Sequence, residues 1–271
     1  MSIQPASTAL VTGASTGIGA VYADRLARRG HDLILVARDT ARLNALAERL
    51  RAETGVKAEV ATADLADRAD LARIEARLRD DPAIGILVNN AGVAAVGPVA
   101  GGEIERMQAI VDVNITAAMR LAAAAATAFA ARGAGVIVNL SSVLALAPEI
   151  SNGVYSGSKA FVLSLTQALR QEVEGKGVRV QAVLPGATRT EIWERSGGSV
   201  DRFPASMVME AGDLVDAALA GLDAGEDVTI PSMPDAADWA AYDAMRQSLR
   251  PNLSRDRPAE RYLKAAATAA A

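Results

Sequence analysis

Ala9-Leu-Val-Thr-Gly-Ala-Ser-Thr-Gly-Ile-Gly19 is the stretch whose reading decides the fold. Its first four residues are a short apolar run that reads as a buried strand. Gly13, Gly17 and Gly19 punctuate the turn that follows, and an amphipathic stretch then runs to Arg29-Gly30. Strand, glycine-rich turn and helix are the context that a dinucleotide-binding fingerprint requires. Glycine lets the backbone come close to a pyrophosphate, and the helix N-terminus offers unpaired N–H groups at the positive end of its dipole. The spacing is Gly-x-x-x-Gly-x-Gly rather than the commoner Gly-x-Gly-x-x-Gly. Without its flanks the turn would read as no more than a tight helix cap.

Working outward, strands are expected at 31–37, 57–63, 84–88, 135–140, 177–184 and 227–231. Helices are expected at 40–54, 66–79, 115–132, 155–175, 213–225 and 236–249. Strands and helices alternating at this spacing mean βαβ units, right-handed crossovers and a doubly wound parallel sheet in a three-layer α/β/α domain. No repeat or linker interrupts the chain, so 1–271 reads as a single domain with a low-complexity, frayed end at 265–271. The second strand delivers Arg38 to its carboxyl end, where the adenosine ribose of a dinucleotide lies. An acid there would accept from the 2′-hydroxyl of NAD, whereas a guanidinium suits the 2′-phosphate of NADP. Asp39 comes one place later and reads as a first-turn carboxylate of the next helix. NADP is therefore the expected cofactor and NAD the alternative.

The stretch 139–160 carries the chemistry. Ser141 and Ser142 close a buried strand at its carboxyl end, where ligands sit in open α/β sheets. After a loop broken by Pro148 and Gly153, a helix begins near Tyr155, and Tyr155 and Lys159, four apart, share a face of it. A free tyrosine titrates near 10, too high for efficient proton transfer at neutrality, and a nearby ammonium favours the phenolate. Tyr155 then exchanges a proton with a carbonyl or alcohol oxygen that Ser142 holds. A Tyr-x-x-x-Lys pair alone would be an ordinary helix tyrosine beside a solvated charge; here it does not stand alone.

Composition narrows the classes. A net charge of −4 and a pI of about 5.2 give no nucleic-acid surface. The chain has no cysteine and one histidine, His31, read as a surface or strand-entry residue. Disulfides, thiol catalysis and a His/Cys zinc site are excluded. Residues 1–8 lack the pattern of a signal peptide, and the alanine-rich run 121–131 is too short to span a bilayer, so a cytoplasmic protein is expected.

Thr12-Gly-Ala-Ser-Thr-Gly-Ile-Gly19, Asn89-Asn-Ala-Gly92, Asn114, Ser142, Tyr155-x-x-x-Lys159 and Pro185-Gly186 together resemble the ordered motif set of the short-chain dehydrogenase/reductase family, in its compact single-domain branch with a Rossmann fold. The resemblance covers about 9–190. It implies that Gly13, Ser15, Thr16, Gly17, Ile18 and Gly19 wrap the pyrophosphate. It places Asp64 and Leu65 beside the adenine, and Asn90, Ala91 and Gly92 at the adenosine ribose and strand end. Pro185, Gly186, Thr188 and Thr190 would contact the nicotinamide side; Thr188 replaces the family's usual valine, a mild change because that contact is through the main chain. Asn114 would hold a water leading to Lys159, and Lys159 would bind the nicotinamide ribose as well as tune Tyr155. An asparagine inside a helix competes with the backbone, which fits a functional or kinking role.

By the same resemblance the helices at 115–132 and 155–175 form a face for a homodimer or homotetramer. Residues 191–212 would be a mobile substrate lid. Facing it, Val143-Leu-Ala-Leu-Ala147, Ile150 and Val154 make an apolar wall, which implies a mainly apolar ketone or aldehyde, with Glu149 or Trp193 as selectors. Trp239, Tyr242 and Met245 recur at helical spacing and read as packing residues. The expected activity is NADP-dependent interconversion of a carbonyl compound and an alcohol by a Ser-Tyr-Lys-Asn set. The alternatives are the same chemistry with NAD, or a non-catalytic nucleotide sensor, which would be expected to lose one of Ser142, Tyr155 and Lys159.

Overall fold

The structure is a computed structural model that describes residues 7–263. The segments whose sequence bears on a signal peptide and on the alanine-rich end, 1–6 and 264–271, lie outside the described residues. Residues up to Pro231 form one unit and those from Ser232 onward a second.

In the first unit the order is β1 (Thr8–Thr12), α1 (Gly17–Arg28), β2 (Leu33–Ala37), α2 (Thr40–Thr54), β3 (Ala58–Thr62), α3 (Arg68–Asp80) and β4 (Ile84–Asn89). There follow α4 (Ile104–Ile110), a π-helical segment (Val111–Ala117), α5 (Ala118–Arg132), β5 (Gly135–Leu140), α6 (Gly153–Glu172) and β6 (Val178–Val183). The unit ends with β7 (Thr188–Arg189), α7 (Ile192–Arg195), β8 (Met209–Glu210), α8 (Ala211–Ala224) and β9 (Val228–Thr229). The second unit contains α9 (Ala236–Ser248).

Seven strands, all parallel, lie in the order β3-β2-β1-β4-β5-β6-β9. The chain winds outward from β1 to β3, then crosses back to place β4 on the other side of β1. The crevice beyond the carboxyl ends of β1 and β4 is thus the topological switch point where such sheets bind ligands.

Side chains alternate across each strand and build two cores. Ala9, Val11, Leu33, Leu35, Ile86, Val88, Val136 and Val138 face α1, α2 and α8. Leu10, Ile34, Val36, Leu87 and Ile137 face α3, α5 and α6. Ala122 and Ala125 of α5 are fully buried, their small side chains bringing the helix close to the sheet. The helical run Ile104–Arg132 is 29 residues, and an 18-residue window within it has a mean hydropathy of 1.4. It is longer than the sequence reading allowed, and by length and composition alone it could cross a membrane; its apolar stripe instead covers the sheet.

Caps set the helix starts. Asp39 accepts from the Arg42 N–H at the head of α2, one position outside the helix rather than in its first turn. Asp67 accepts from the N–H groups of Ala69 and Asp70. His31 does enter β2 but is buried, not at the surface, with its Nδ1 3.0 Å from the Ser7 carbonyl oxygen. A polar thread crosses the second core: the Asn89 amide donates to the Ala118 carbonyl and to Asn139 Oδ1, and the Asn139 amide donates to Thr166 Oγ1. It ties β4 and β5 to α5 and α6 directly below the switch point, and a buried network that is fully bonded rigidifies what it joins. In the second unit the Trp239 and Tyr242 rings meet at 5.4 Å, while Tyr242 and Met245 are exposed and α9 buries none of its residues.

Candidate active site

Three loops converge at the switch point. After β1, Gly13 and Gly17 take φ of 66° and 54°, the left-handed region that favours glycine. A Cβ on Gly13 would lie 2.7 Å from Asn90 Nδ2, and one on Gly19 only 2.3 Å from the Gly13 carbonyl oxygen. Thr12 Oγ1 accepts from the N–H groups of Asn90 and Ala91, both at 2.9 Å, and donates to the Val88 carbonyl at 3.3 Å. The Asn90 amide returns a bond to the Thr12 carbonyl at 2.8 Å. Thr12 and Asn90 thus staple the loop after β1 to the loop after β4. Thr12 belongs to the motif quoted above, yet its role was not legible, since the staple joins residues 78 apart. From the third loop, Thr190 Cγ2 would stand 3.1 Å from a Cβ on Gly17.

These features fit a dinucleotide. The cradle is closed to any side chain at Gly13 and Gly19. Thr16, at the N-cap of α1, makes no side-chain cap bond, and no acid sits in the first turn, so nothing anionic competes with a phosphate there. Arg38 follows β2 with its side chain 66% exposed, 3.9 Å from an Asp64 carboxylate oxygen. Asp39 is committed to capping α2, and Asp64 Oδ1 accepts from the Ala66 N–H. Arg38 is the exposed cation at this strand end, and Leu65 is buried in the second core.

Beyond β4 and β5 the second group of residues assembles. Lys159 is buried, 6% exposed, and its Nζ donates to the Leu140 carbonyl at 2.9 Å. The same Nζ lies 5.7 Å from the centre of the half-buried Tyr155 ring. A Cβ on Gly92 would stand 3.4 Å from Asn114 Oδ1 and 3.6 Å from Lys159 Nζ, so all three meet at one point. Ser141 is an anchor: its hydroxyl donates to the Lys159 carbonyl at 2.7 Å, fixing α6 against the end of β5. Ser142 Oγ accepts from the Leu144 N–H and donates to the Pro185 carbonyl at 3.3 Å. That bond is long for O–H···O, so the hydroxyl can exchange it for a substrate oxygen.

Asn114 sits in the middle of the π-helical segment, 1% exposed. Its amide clasps Val93 from both sides, accepting from the N–H and donating to the C=O at 2.9 Å, and donates also to Ser158 Oγ at 3.1 Å. Ser158 in turn donates to the Tyr155 carbonyl. The sequence placed Asn114 in a helix with a kinking role; the finding is a π turn, a geometry frequent at functional sites.

The electrostatics correct one expectation. Burial pushes the Tyr155 phenol up to about 12 and the Lys159 ammonium down to about 8. Desolvation thus raises the phenol, where the helical spacing of Tyr155 and Lys159 predicts a fall below the free-tyrosine value.

The segment 191–212 leaves and rejoins through a neck. β7 and β8 pair in parallel at Thr188–Met209 and Arg189–Glu210, and Thr188 Oγ1 donates to the Gly186 carbonyl. Trp193 is engaged in this neck: its indole N–H donates to the Thr188 carbonyl at 2.8 Å and its ring packs on Phe203. Glu149 is exposed. A Cβ on Gly198 would lie 3.2 Å from Val96, so the segment reaches the loop that follows Gly92. Glu191 receives both carboxylate contacts of Arg42 at 2.8 Å, linking its start to α2.

Comparison with known proteins agrees with this geometry. The short chain dehydrogenase family profile matches residues 7–199. A short-chain dehydrogenase from Sphingobium yanoikuyae, solved in complex with NADPH, is 52% identical with a TM-score of 0.90, covering 93% of this chain and 98% of that one. The bulky-bulky ketone specific alcohol dehydrogenase from Comamonas testosteroni is 48% identical with a TM-score of 0.88, covering 96% and 100%. A serine 3-dehydrogenase of Agrobacterium fabrum is 37% identical over 195 residues, 71% of this chain and 76% of the relative. With the sheet order, the glycine cradle and the Tyr155–Lys159 pair all in place, the chain belongs to the short-chain dehydrogenase family, whose members are NAD(P)-binding oxidoreductases acting on alcohol or carbonyl groups.

Proposed function

We propose that this chain interconverts apolar ketones or aldehydes and their alcohols, with NADP(H) as cofactor. The observation that carries the reading is Lys159 Nζ, held by the Leu140 carbonyl and set 5.7 Å from the Tyr155 ring beside Gly92 and Asn114. The nucleotide, when bound, supplies or accepts the hydride. Tyr155 gives its proton to the carbonyl oxygen, or takes one from the alcohol, and Ser142 bonds the same oxygen as charge develops on it. Lys159 stabilises the phenolate left behind, and Asn114 holds the Val93–Gly92 edge against which Lys159 lies. Gly13, Ser15, Thr16, Gly17, Ile18 and Gly19 hold the pyrophosphate; Asp64, Leu65, Asn90 and Ala91 border the adenosine; Pro185, Gly186, Thr188 and Thr190 border the nicotinamide. Arg38 selects the 2′-phosphate.

Apolar substrates are supported by the half-buried wall Val143–Ala147, by Val96, and by the ketone specificity that names the Comamonas neighbour. The test is NADPH oxidation across ketones and aldehydes graded by bulk and charge. Ketones with large apolar groups on both sides are expected to turn over fastest, and turnover confined to charged carbonyl compounds would overturn the substrate reading. Tyr155→Phe is expected to lower kcat at least about a hundredfold with NADPH affinity kept; full turnover would refute its role. The same reading pairs copies through α5 and α6, where Met119 is 40% exposed, into a homodimer or homotetramer that the mass in solution tests.

A further inference from the structure

Asn152 lies three residues before Tyr155, outside every motif read from the sequence, and is 6% exposed. Its two amide atoms point different ways. Oδ1 accepts from the N–H groups of Val154 at 3.0 Å and Tyr155 at 3.3 Å, capping α6. Nδ2 donates to the Gly97 carbonyl at 2.9 Å, across 55 residues. Gly97 takes φ of 107° in the loop that runs from Gly92 toward α4.

That loop is held at two places. Asn114 clasps Val93 through both its backbone groups, and Asn152 holds Gly97. Between these clasps, Val96 is the residue against which Gly198 of the 191–212 segment closes, at 3.2 Å from a Cβ there. Just beyond, Val99 lies 3.7 Å from a Cβ on Gly153, at the head of α6. One side of the loop meets the helix that carries Tyr155, and the other meets the lid.

We propose that Asn152 is a positioning residue that couples the place of the Tyr155 phenol to the wall of the substrate pocket at Val96–Gly97. The cap fixes where α6 begins, and so where its third residue projects. The amide donor fixes how far the opposite wall stands from it. Both bonds are made by one rigid planar group, so phenol and wall move together; misplacement of a reacting group by an ångström costs orders of magnitude in rate. The proposal rests on Tyr155 being the proton donor.

Two substitutions separate the halves. Asn152→Ser keeps a good N-cap and loses the tether to Gly97; Asn152→Ala loses both. With a bulky apolar ketone, Asn152→Ala is expected to lower kcat about tenfold or more. Asn152→Ser is expected to restore kcat to within about threefold of the parent while KM stays raised at least about fivefold. A small aldehyde, which does not reach Val96, is expected to show the kcat loss in Asn152→Ala and no KM change in Asn152→Ser. NADPH affinity and the melting temperature of Asn152→Ser serve as controls. Equal kcat and KM in Asn152→Ser and Asn152→Ala, or parent-like constants in both, would overturn the proposal. Tyr155→Phe is assayed alongside: if it is dead while both Asn152 variants are parent-like, only the coupling falls, and if it remains active the proton-donor reading falls with it.

Discussion

Lys159→Met removes a charge of similar length and gives a rate difference that can be worked from the structure. With an effective dielectric of about 20, and the 5.7 Å from Lys159 Nζ to the Tyr155 ring centre taken as the scale of the separation, ammonium and phenolate attract by about 3 kcal/mol, a factor of about a hundred in the balance between phenol and phenolate. The attraction exists only while Lys159 is an ammonium, and its burial brings that titration down to about 8. At pH 7 roughly nine-tenths of the lysine is charged, so Lys159→Met is expected to oxidise alcohol about a hundredfold more slowly than the parent. Above pH 8 the parent loses its ammonium too, while the variant's phenol, held high by burial, goes on ionising tenfold per pH unit. The deficit therefore shrinks to about tenfold by roughly pH 9. The assay is kcat for alcohol oxidation at saturating NADP across this range, with cofactor affinity measured separately because Lys159 also lies beside Gly92. A deficit that stays constant with pH would refute the electrostatic account and leave Lys159 a cofactor-binding residue only.

The same substitution bears on stability. Lys159 titrates near 8 when folded against an ordinary 10.5, so its buried ammonium opposes folding fully below pH 8 and the opposition fades as pH rises to about 10.5. Lys159→Met is accordingly expected to raise unfolding free energy by up to about 3 kcal/mol at pH 7, read by denaturant titration, with the gain lost by pH 10.5. Arg38→Ala is expected to weaken NADPH by about 10- to 100-fold, as for a lost charge-assisted bond, and to leave NADH nearly unchanged in equilibrium titrations; equal losses would make Arg38 a solvated charge. Gly19→Ala drives a Cβ to within 2.3 Å of the Gly13 carbonyl and is expected to abolish nucleotide binding and cost about 3 kcal/mol or more of stability.

What was legible in the sequence is what acts over short spans. The Gly13–Gly19 turn and the Tyr155–Lys159 pair are set by positions four to six residues apart, and periodicity placed all the strands of the main sheet to within a few residues. What could not be read acts between distant positions. Thr12 acquires its role through Asn90, Asn152 through Gly97, and Arg42 through Glu191, each across dozens of residues. Desolvation escaped for the same reason: Tyr155 and Lys159 are buried by elements that approach only in the fold, so the direction of the phenol's titration could not follow from helical spacing. His31 stands at the entry to β2, and its burial could not be read because its partner is the Ser7 carbonyl at the head of β1.

The placement of Lys159 explains why so much polar structure gathers beneath it. An ammonium only 6% exposed needs acceptors held in place, and one of them, the Leu140 carbonyl, is the last of β5. Ser141 fixes the helix that carries the lysine by bonding its backbone, and the Asn89–Asn139–Thr166 thread locks the strand end to that same helix. If these bonds served only to stabilise the sheet, well-packed apolar residues would do as well or better. Their arrangement instead keeps one charge at a set distance from one phenol, in an environment that makes the charge costly to keep. An arginine is not equivalent to the lysine on this argument, since its planar fork is larger than an ammonium and its charge does not titrate near neutrality. The site's stability deficit and its capacity for proton transfer thus arise from the same burial, and a variant that recovers the first should lose the second.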